Sequence, residues 1–587
     1  MSNKSETTFK FKQKSIRQLF EEEFEIIEIP LYQREYVWDD EQIIPLLDDL
    51  IDRYKDQNQH YFGIIAQSVK RVEKDDNYNK HRIIDGQQRI TTSILLIYYL
   101  DKKINENENT NIFNDFRISD ILFEIGANIR EDILQIIKSQ NRNLIPLKHS
   151  RIKKNYEIIE EYFKNRHFNN EELKEILKTF LDKFIFGILE YTIEKENEML
   201  VFENLNSKGS PLDSFDLIRN AIILQNKDND SKQNLIDFNS IVFNVLKDGY
   251  WRSEIKESKR GEEFEEFIKN YTKWLGYTKK YKSYKTYKNF EQLINDKVSN
   301  GDQFKEFLGD LRKYLILYLE IKHHQDSPDI GNRLWYRVIE QKNVHIPLAF
   351  ELFSRFSHFN INNDKWDTSN KLIDLYMKVW ASHIIKLISV EGTGQSLSNL
   401  VFTVIKLIKE GLPPRKIKEY LSKMEYYNTP SDWKFIESLK SPKKESWLSK
   451  SIIDIIETVI LDQNAGENIK QVDMQTIEHI MPQDLSEWKN DLGYEEEKLK
   501  QLHSKCKDQI GNLIHLNNKQ NTKISNKSFK HKVNEVYKKS SSILVTAKGL
   551  EKYGLKNICE YDQWTFDIIE ERTEKLGKVI IDIMNSD

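Results

Sequence analysis

"HRIIDGQQRITTS" (residues 81–93) sets an acid, a glycine, two amides and an arginine between a short apolar stub and a run with helical spacing. Arg82-Ile83-Ile84 predicts a strand, Asp85-Gly86-Gln87-Gln88-Arg89 a loop, and "ITTSILLIYYLDKKI" a helix. A helix N-terminus presents unpaired N–H groups and a partial positive charge, so a strand–loop–helix unit of this kind suits an anion. Gly86 lets backbone approach closely, Arg89 can fork onto phosphate oxygens, and Asp85 can hold a metal ion or orient water. Taken alone, the same residues read equally as an ordinary turn in which Asp85 caps the helix and Gly86 supplies positive φ.

Outward from this loop, residues 1–225 alternate short apolar stubs with helical patterns. "FEIIEIP", ended by Pro30, and "HYFGIIAQSVKR" predict two further strands, and "DEQIIPLLDDLIDRYK" an amphipathic helix. From 226 to 440 apolar residues recur at helical spacing, as in "FKEFLGDLRKYLILYLEIKHH", which predicts a helical middle domain. A polar passage around 425–445 separates it from a last compact unit, 441–587. The whole is expected to be a predominantly helical α+β chain; 587 residues are enough for roughly two to four domains.

Charged residues at 31% and a hydrophobic share of 39% exclude a disordered or membrane-embedded chain, and no apolar run is long enough to span a bilayer. The start has basic residues but neither an apolar core nor a cleavage site, so a cytoplasmic location is expected. Two cysteines, Cys506 and Cys559, are too few for a disulfide framework or a cysteine zinc site. Net charge is only −4, but its distribution is uneven. Between Asn518 and Gly549 eight lysines stand against one acid, Glu535, which makes a candidate phosphate-tracking surface. "KNYTKWLGYTKKYKSYKTYKNF" (269–290) interleaves lysines with seven aromatic rings, either a stacking groove for nucleic acid or aromatics packed on a helical core.

Two more segments bear on the loop. "IPLYQREYVW" (29–38) packs Tyr32, Gln33, Arg34, Glu35, Tyr36 and Trp38 directly after a strand. "FENLNSKGSPLDSFDLIRN" (202–220) carries Asn206-Ser207-Lys208-Gly209 into a helix with Asp213, Asp216 and Arg219. In this order and spacing the three segments resemble the N-terminal domain of the GmrSD-type, modification-dependent (type IV) restriction enzymes, which is similar to the ParB/sulfiredoxin-like fold. The resemblance covers roughly residues 1–225. It implies binding and hydrolysis of a nucleoside triphosphate (ATP, GTP or UTP), with Asp85, Gly86, Gln87, Gln88 and Arg89 at the phosphates and Arg34, Asn206 and Lys208 beside them. Asp85 and Arg89 would take part in the hydrolysis, and Tyr32 and Gln33 would contact DNA. No GxxxxGKS/T loop is present, so any hydrolysis uses a different cradle.

"DMQTIEHIMPQDL" (473–485) places Glu478 and His479 at the end of a predicted strand, and "IGNLIHLNNKQNTKISNKSFKHK" (510–532) follows as a short strand and a helix. An acid before "HIxP", then "GNL", then Asn521 and Asn526, with "WTFDIIEER" from Trp564 closing the chain, resemble the HNH, or ββα-metal, nuclease domain of the same family. This implies His479 as the base that activates water, with an uncharged imidazole near its ordinary pKa of roughly 6.5. Glu478 and Asn521 would hold Mg²⁺ or Mn²⁺, and Asn512 would brace the loop and align His479. Lys523, Lys530 and Lys532 would grip flanking phosphates, and Asn526 would be a second ligand or a brace. The two resemblances together imply an NTP-regulated, metal-dependent DNA endonuclease that acts on modified double-stranded DNA of phages, with a homodimer as one possible assembly. A nucleotide-dependent DNA-binding switch without cleavage and an RNA-cleaving toxin are the alternatives.

Overall fold

Alternation and caps set the first unit. A computed structural model describes residues 8–20, 25–29, 36–71, 79–108, 151–192, 214–225, 231–246, 255–256, 259–278, 285–323, 335, 338, 342–391, 397–441, 446–463, 476–488, 492–547 and 550–586. The chain divides into two compact units, 1–241 with 279–308, and 242–278 with 309–587, so most of the helical middle shares a unit with the C-terminal segment while 226–241 and 279–308 belong to the first.

The first unit is built on a five-stranded mixed sheet: β1 (Thr8–Ser15), β2 (Glu25–Glu28), β3 (His60–Arg71), β4 (Asn79–Asp85) and β5 (Phe184–Thr192), in the order β1-β5-β3-β4-β2. β2, β3 and β4 fall where alternation placed them, whereas β1 and β5 were not foreseen. β1 pairs antiparallel with β5 and β3 antiparallel with β4, while β3–β5 and β2–β4 are parallel. Around it stand α1 (Asp40–Asp56), α2 (Gln87–Glu108), α3 (Arg151–Lys164) and α4 (Asn170–Lys183). α1 starts at Asp39, whose carboxylate accepts from Glu41 N–H at 3.2 Å while Gln42 Oε1 accepts the Asp39 N–H at 3.1 Å. Its Ile43, Leu46, Leu47, Leu50 and Ile51 recur on one face and enter a core shared with Ile27, Ile65, Ile83, Phe184, Phe186 and Ile188 of the sheet.

The second unit is predominantly helical, as composition and periodicity predicted. In α5 (Arg260–Trp274), Phe264, Phe267, Ile268, Tyr271 and Trp274 are buried at helical spacing, and Trp274 Nε1 donates to Glu351 of α6 (Ile346–Phe356) at 2.9 Å. Tyr287 and Phe290, which belong to the first unit, are buried too. These four rings therefore pack cores rather than line a stacking groove; Tyr281 and Tyr284 of the same stretch lie outside the described residues. Among the described residues no helix is long and apolar enough to cross a membrane.

Helix α7 (Lys371–Glu391) carries a buried row of nitrogen-bearing rings. Trp380 Nε1 donates to His345 Nδ1 at 3.3 Å, and His383 Nδ1 lies 2.7 Å from Thr429 Oγ1. Burial pushes His345 down to about 3 and His383 down to about 4. Both are neutral when folded, while the unfolded chain protonates them near 6.5, so their stabilisation is complete above 6.5 and is lost as pH falls toward 4. Between pH 6.5 and 5 each should remove about 2 kcal/mol of stability. Thermal unfolding at pH 7 and pH 5 checks this: His345→Gln and His383→Gln should each lose less between the two conditions than the parent chain.

Candidate functional site

The junction between β4 and α2 is tighter than the predicted loop: Asp85 ends β4, Gln87, Gln88 and Arg89 already belong to α2, and Gly86 alone lies between them. Gly86 sits at φ +99°, and a Cβ there would stand 3.0 Å from Ile65 Cγ1 and 3.2 Å from the Ile64 carbonyl oxygen, so the position excludes a side chain. Asp85 is exposed at the strand end, and the Ile90 N–H closes the first helical turn on the Gly86 carbonyl at 3.1 Å. The two amides behave differently from the expectation that both face phosphates. Gln87 and Gln88 are buried, and Gln88 Oε1 accepts the N–H groups of Val37 (2.9 Å) and Trp38 (3.4 Å). Gln88 is a strut that holds the polar-aromatic segment against α2. Asn155 of α3 strengthens it by donating to the Trp38 carbonyl (2.7 Å) and to Tyr36 Oη (3.2 Å), and Tyr36 Oη also lies 2.6 Å from Thr92 Oγ1. Arg89 folds back over Gly63, itself at φ +111°, and donates to the Ile64 carbonyl at 3.2 Å. Tyr32, Gln33, Arg34, Asn206 and Lys208 lie outside the described residues.

The C-terminal segments assemble as a strand–strand–helix unit. α8 (Asp432–Leu439) and α9 (Ser446–Gln463) precede β6 (Thr476–His479), which pairs antiparallel with β7 (Leu513–Leu516), His479 opposite Leu513. α10 (Glu496–Cys506) lies between the strands in sequence. α11 (Asn518–Ile524) follows β7, capped by Asn517, whose Oδ1 accepts from Gln520 N–H at 2.8 Å. Asn521 on α11 donates its amide hydrogens to Thr476 Oγ1 (3.2 Å) and the Ile477 carbonyl (3.3 Å), which fastens the helix to β6.

Adjacent residues on β6 have different surroundings. The Glu478 carboxylate is buried: its Oε1 accepts from Lys532 Nζ at 2.5 Å and from Tyr537 Oη at 3.3 Å. Lys532, on α12 (Phe529–Glu535), is fully buried and also donates to the His479 carbonyl at 2.9 Å. It is therefore an internal cation and not a phosphate grip, which corrects the sequence expectation. Burial pushes the Glu478 carboxyl up and the Lys532 ammonium down, and each charge pulls the other back. Lys523 and Lys530 are exposed, Lys523 paired with Glu535 at 2.7 Å.

His479 is partly exposed, and its Nε2 lies 3.1 Å from Asp508 Oδ1. That hydrogen bond holds the Asp508 carboxyl below its usual range, with Lys507 adding to it. His503 Nε2 contacts the Pro482 carbonyl at 2.8 Å. His515 instead pairs with buried Asp454, and Cys506 is buried beside Glu570, so the two histidines flanking Cys506 in sequence serve separate partners.

Asn512 is the brace, fully buried. Its Oδ1 accepts from Met481 N–H (2.8 Å) and Trp564 Nε1 (3.0 Å), and its Nδ2 donates to the carbonyls of Met481 and Lys507, both at 2.8 Å. Gly511 beside it must be glycine: a Cβ would stand 2.2 Å from the Ile569 carbonyl oxygen of α13 (Phe566–Asn585). Its N–H donates to Thr573 Oγ1 at 3.0 Å, and its carbonyl accepts from Arg572 at 2.6 Å. Asp508, Lys532 as partner of Glu478, and Arg572 were missed from sequence. None belongs to a local pattern, and only their convergence in space marks them.

A divalent cation needs oxygen ligands not already held by a positive charge. Glu478 as it stands does not fit, because the Lys532 ammonium occupies it; among the described residues no group of three or more His, Cys, Asp or Glu is placed to hold a metal.

Two family models match the chain. Residues 16–223 match the N-terminal domain of the GmrSD restriction endonuclease, and residues 429–579 match the C-terminal domain of the same enzymes. The chain belongs to the GmrSD restriction endonucleases. No curated protein matches it. The first match contains the loop at Asp85–Arg89, and the second contains β6, β7, Asn512 and most of the closing helix. The endonuclease's C-terminal match thus coincides with the unit that carries His479.

The buried pair generates a prediction. In the endonuclease, Lys532→Met alone leaves the Glu478 carboxylate buried without a partner and should cost about 3–5 kcal/mol, whereas Glu478→Gln combined with Lys532→Met should recover most of it. Urea unfolding of the full chain measures both.

Proposed function

We propose that this GmrSD endonuclease cuts modified double-stranded DNA of phages with an HNH-type centre at His479, under control of a nucleoside triphosphate bound at the Asp85–Arg89 loop. The observation that carries the proposal is His479 itself: partly exposed at the end of β6, hydrogen-bonded to Asp508, on a loop clamped by Asn512. The imidazole takes a proton from water, and the resulting hydroxide forms a bond to phosphorus. The phosphorus–oxygen bond to the leaving nucleotide breaks, and that oxygen is protonated from solvent. Exposed Lys523 and Lys530 are the cations proposed for the flanking phosphates.

Mg²⁺ or Mn²⁺ belongs to the proposal as the charge-neutralising partner of the phosphate. Its ligands exclude Glu478 in its present pairing, and no step is assigned to it. At the other unit, exposed Asp85 and the start of the 22-residue helix α2 are the groups proposed for NTP, with Gln88 holding the neighbouring segment and not a phosphate. A glucosylated base or a phosphorothioate backbone is the expected modification, and NTP turnover or a change between monomer and homodimer the expected trigger.

The test is a panel of plain, hydroxymethylated, glucosylated and phosphorothioated DNA with divalent cation, with and without each NTP. Cleavage of a modified duplex only, stimulated or released by NTP, is expected; intact DNA throughout, or cleavage of RNA in preference, contradicts the proposal. His479→Ala should lower cleavage by about a hundredfold or more with NTP hydrolysis unchanged. Asp85→Ala should remove NTP hydrolysis and the NTP dependence of cleavage.

A further inference from the structure

His479 has an oriented partner that no motif assigns. Its Nε2 lies 3.1 Å from Asp508 Oδ1, and the two side chains come from segments 29 residues apart. The same amide that clamps the His479 loop, Asn512, binds Met481, two residues after His479, through both its N–H and its carbonyl, and binds the carbonyl of Lys507, the residue before Asp508. One buried side chain thus fixes the backbone on both sides of the imidazole–carboxylate contact.

A neutral imidazole has one N–H and one lone pair, and an ionised carboxylate only accepts hydrogen bonds. An acceptor at Nε2 therefore places the hydrogen on Nε2 and the lone pair on Nδ1. We propose that Asp508 is a positioning residue for the cleavage reaction: it fixes His479 in the Nε2–H tautomer and orients the ring so that Nδ1 takes the proton from water. The inference rests on the proposal that His479 is the base. Asp508 touches neither substrate nor water in this scheme, and acts through the imidazole alone.

Asp508 is about 41% exposed, so its removal leaves a site that small anions can enter. The test measures cleavage by the full-length enzyme over a range of DNA and Mg²⁺ concentrations for wild type, Asp508→Ala, Asp508→Asn, Asp508→Glu and His479→Ala. Asp508→Ala is expected to lower kcat by about tenfold to a hundredfold with KM for DNA little changed. Formate should restore part of the Asp508→Ala rate and leave wild type unaffected. Asp508→Glu and Asp508→Asn, which still offer an oxygen acceptor, should lie between Ala and wild type. An Asp508→Ala enzyme with unchanged kcat overturns the assignment while His479→Ala remains inactive, as does one whose rate returns on raising Mg²⁺ and not on adding formate, since that marks a cation ligand. If His479→Ala cleaves like wild type, it is the base itself that is wrong.

Discussion

The C-terminal half of this enzyme turns on one buried carboxamide. Asn512 meets two N–H donors with its oxygen and two carbonyls with its nitrogen, so all four of its hydrogen bonds are made in one orientation of the amide. Burying an amide is costly unless it is satisfied, and satisfaction here requires three stretches of chain to converge on Asn512: Met481 just after β6, Lys507 just after α10, and the indole of Trp564. The adjacent Gly511 lets the backbone of α13 close against the same point. A site on a loop becomes rigid because its neighbours are tied to a common hub.

A second buried polar contact has a different role. Glu478 and Lys532 neutralise each other inside the unit, and Lys532 also holds the His479 carbonyl. The strand end is thereby pinned from within by an ion pair and from beyond by the amide, while the imidazole of His479 keeps part of its surface in water. A carboxylate that motif spacing offers to a metal is paired here with a buried lysine, which shows how little adjacency on a strand says about the surroundings of a side chain.

Much of the architecture was legible in sequence because it rests on local rules. The strand–loop–helix at Asp85–Arg89 follows from an apolar stub, a glycine that must take positive φ, and helical spacing. The "GNL" element marked its place because Gly511 and Asn512 meet demands that few other residues satisfy. What escaped depends on distance in sequence. β1 and β5 pair across more than 170 residues, and Asp508 meets His479 across a helix and a turn. Lys532 looked like part of a basic surface because charge counts do not reveal which lysine points inward. Gln88 belongs to a stretch that reads as a phosphate-facing loop, yet it lies in the first turn of α2 and its side chain accepts from the Val37 and Trp38 amides.

Asn512 holds the segment after His479 and the Asp508 segment in a fixed relation. Asn512→Asp keeps the acceptor for Met481 N–H and Trp564 and removes the donors to the Met481 and Lys507 carbonyls, so hydrogen exchange of the segments 480–483 and 507–510 reports whether that relation is lost. Exchange in both should accelerate by about tenfold or more while β6 and β7 stay protected. Unchanged protection in both segments would contradict it.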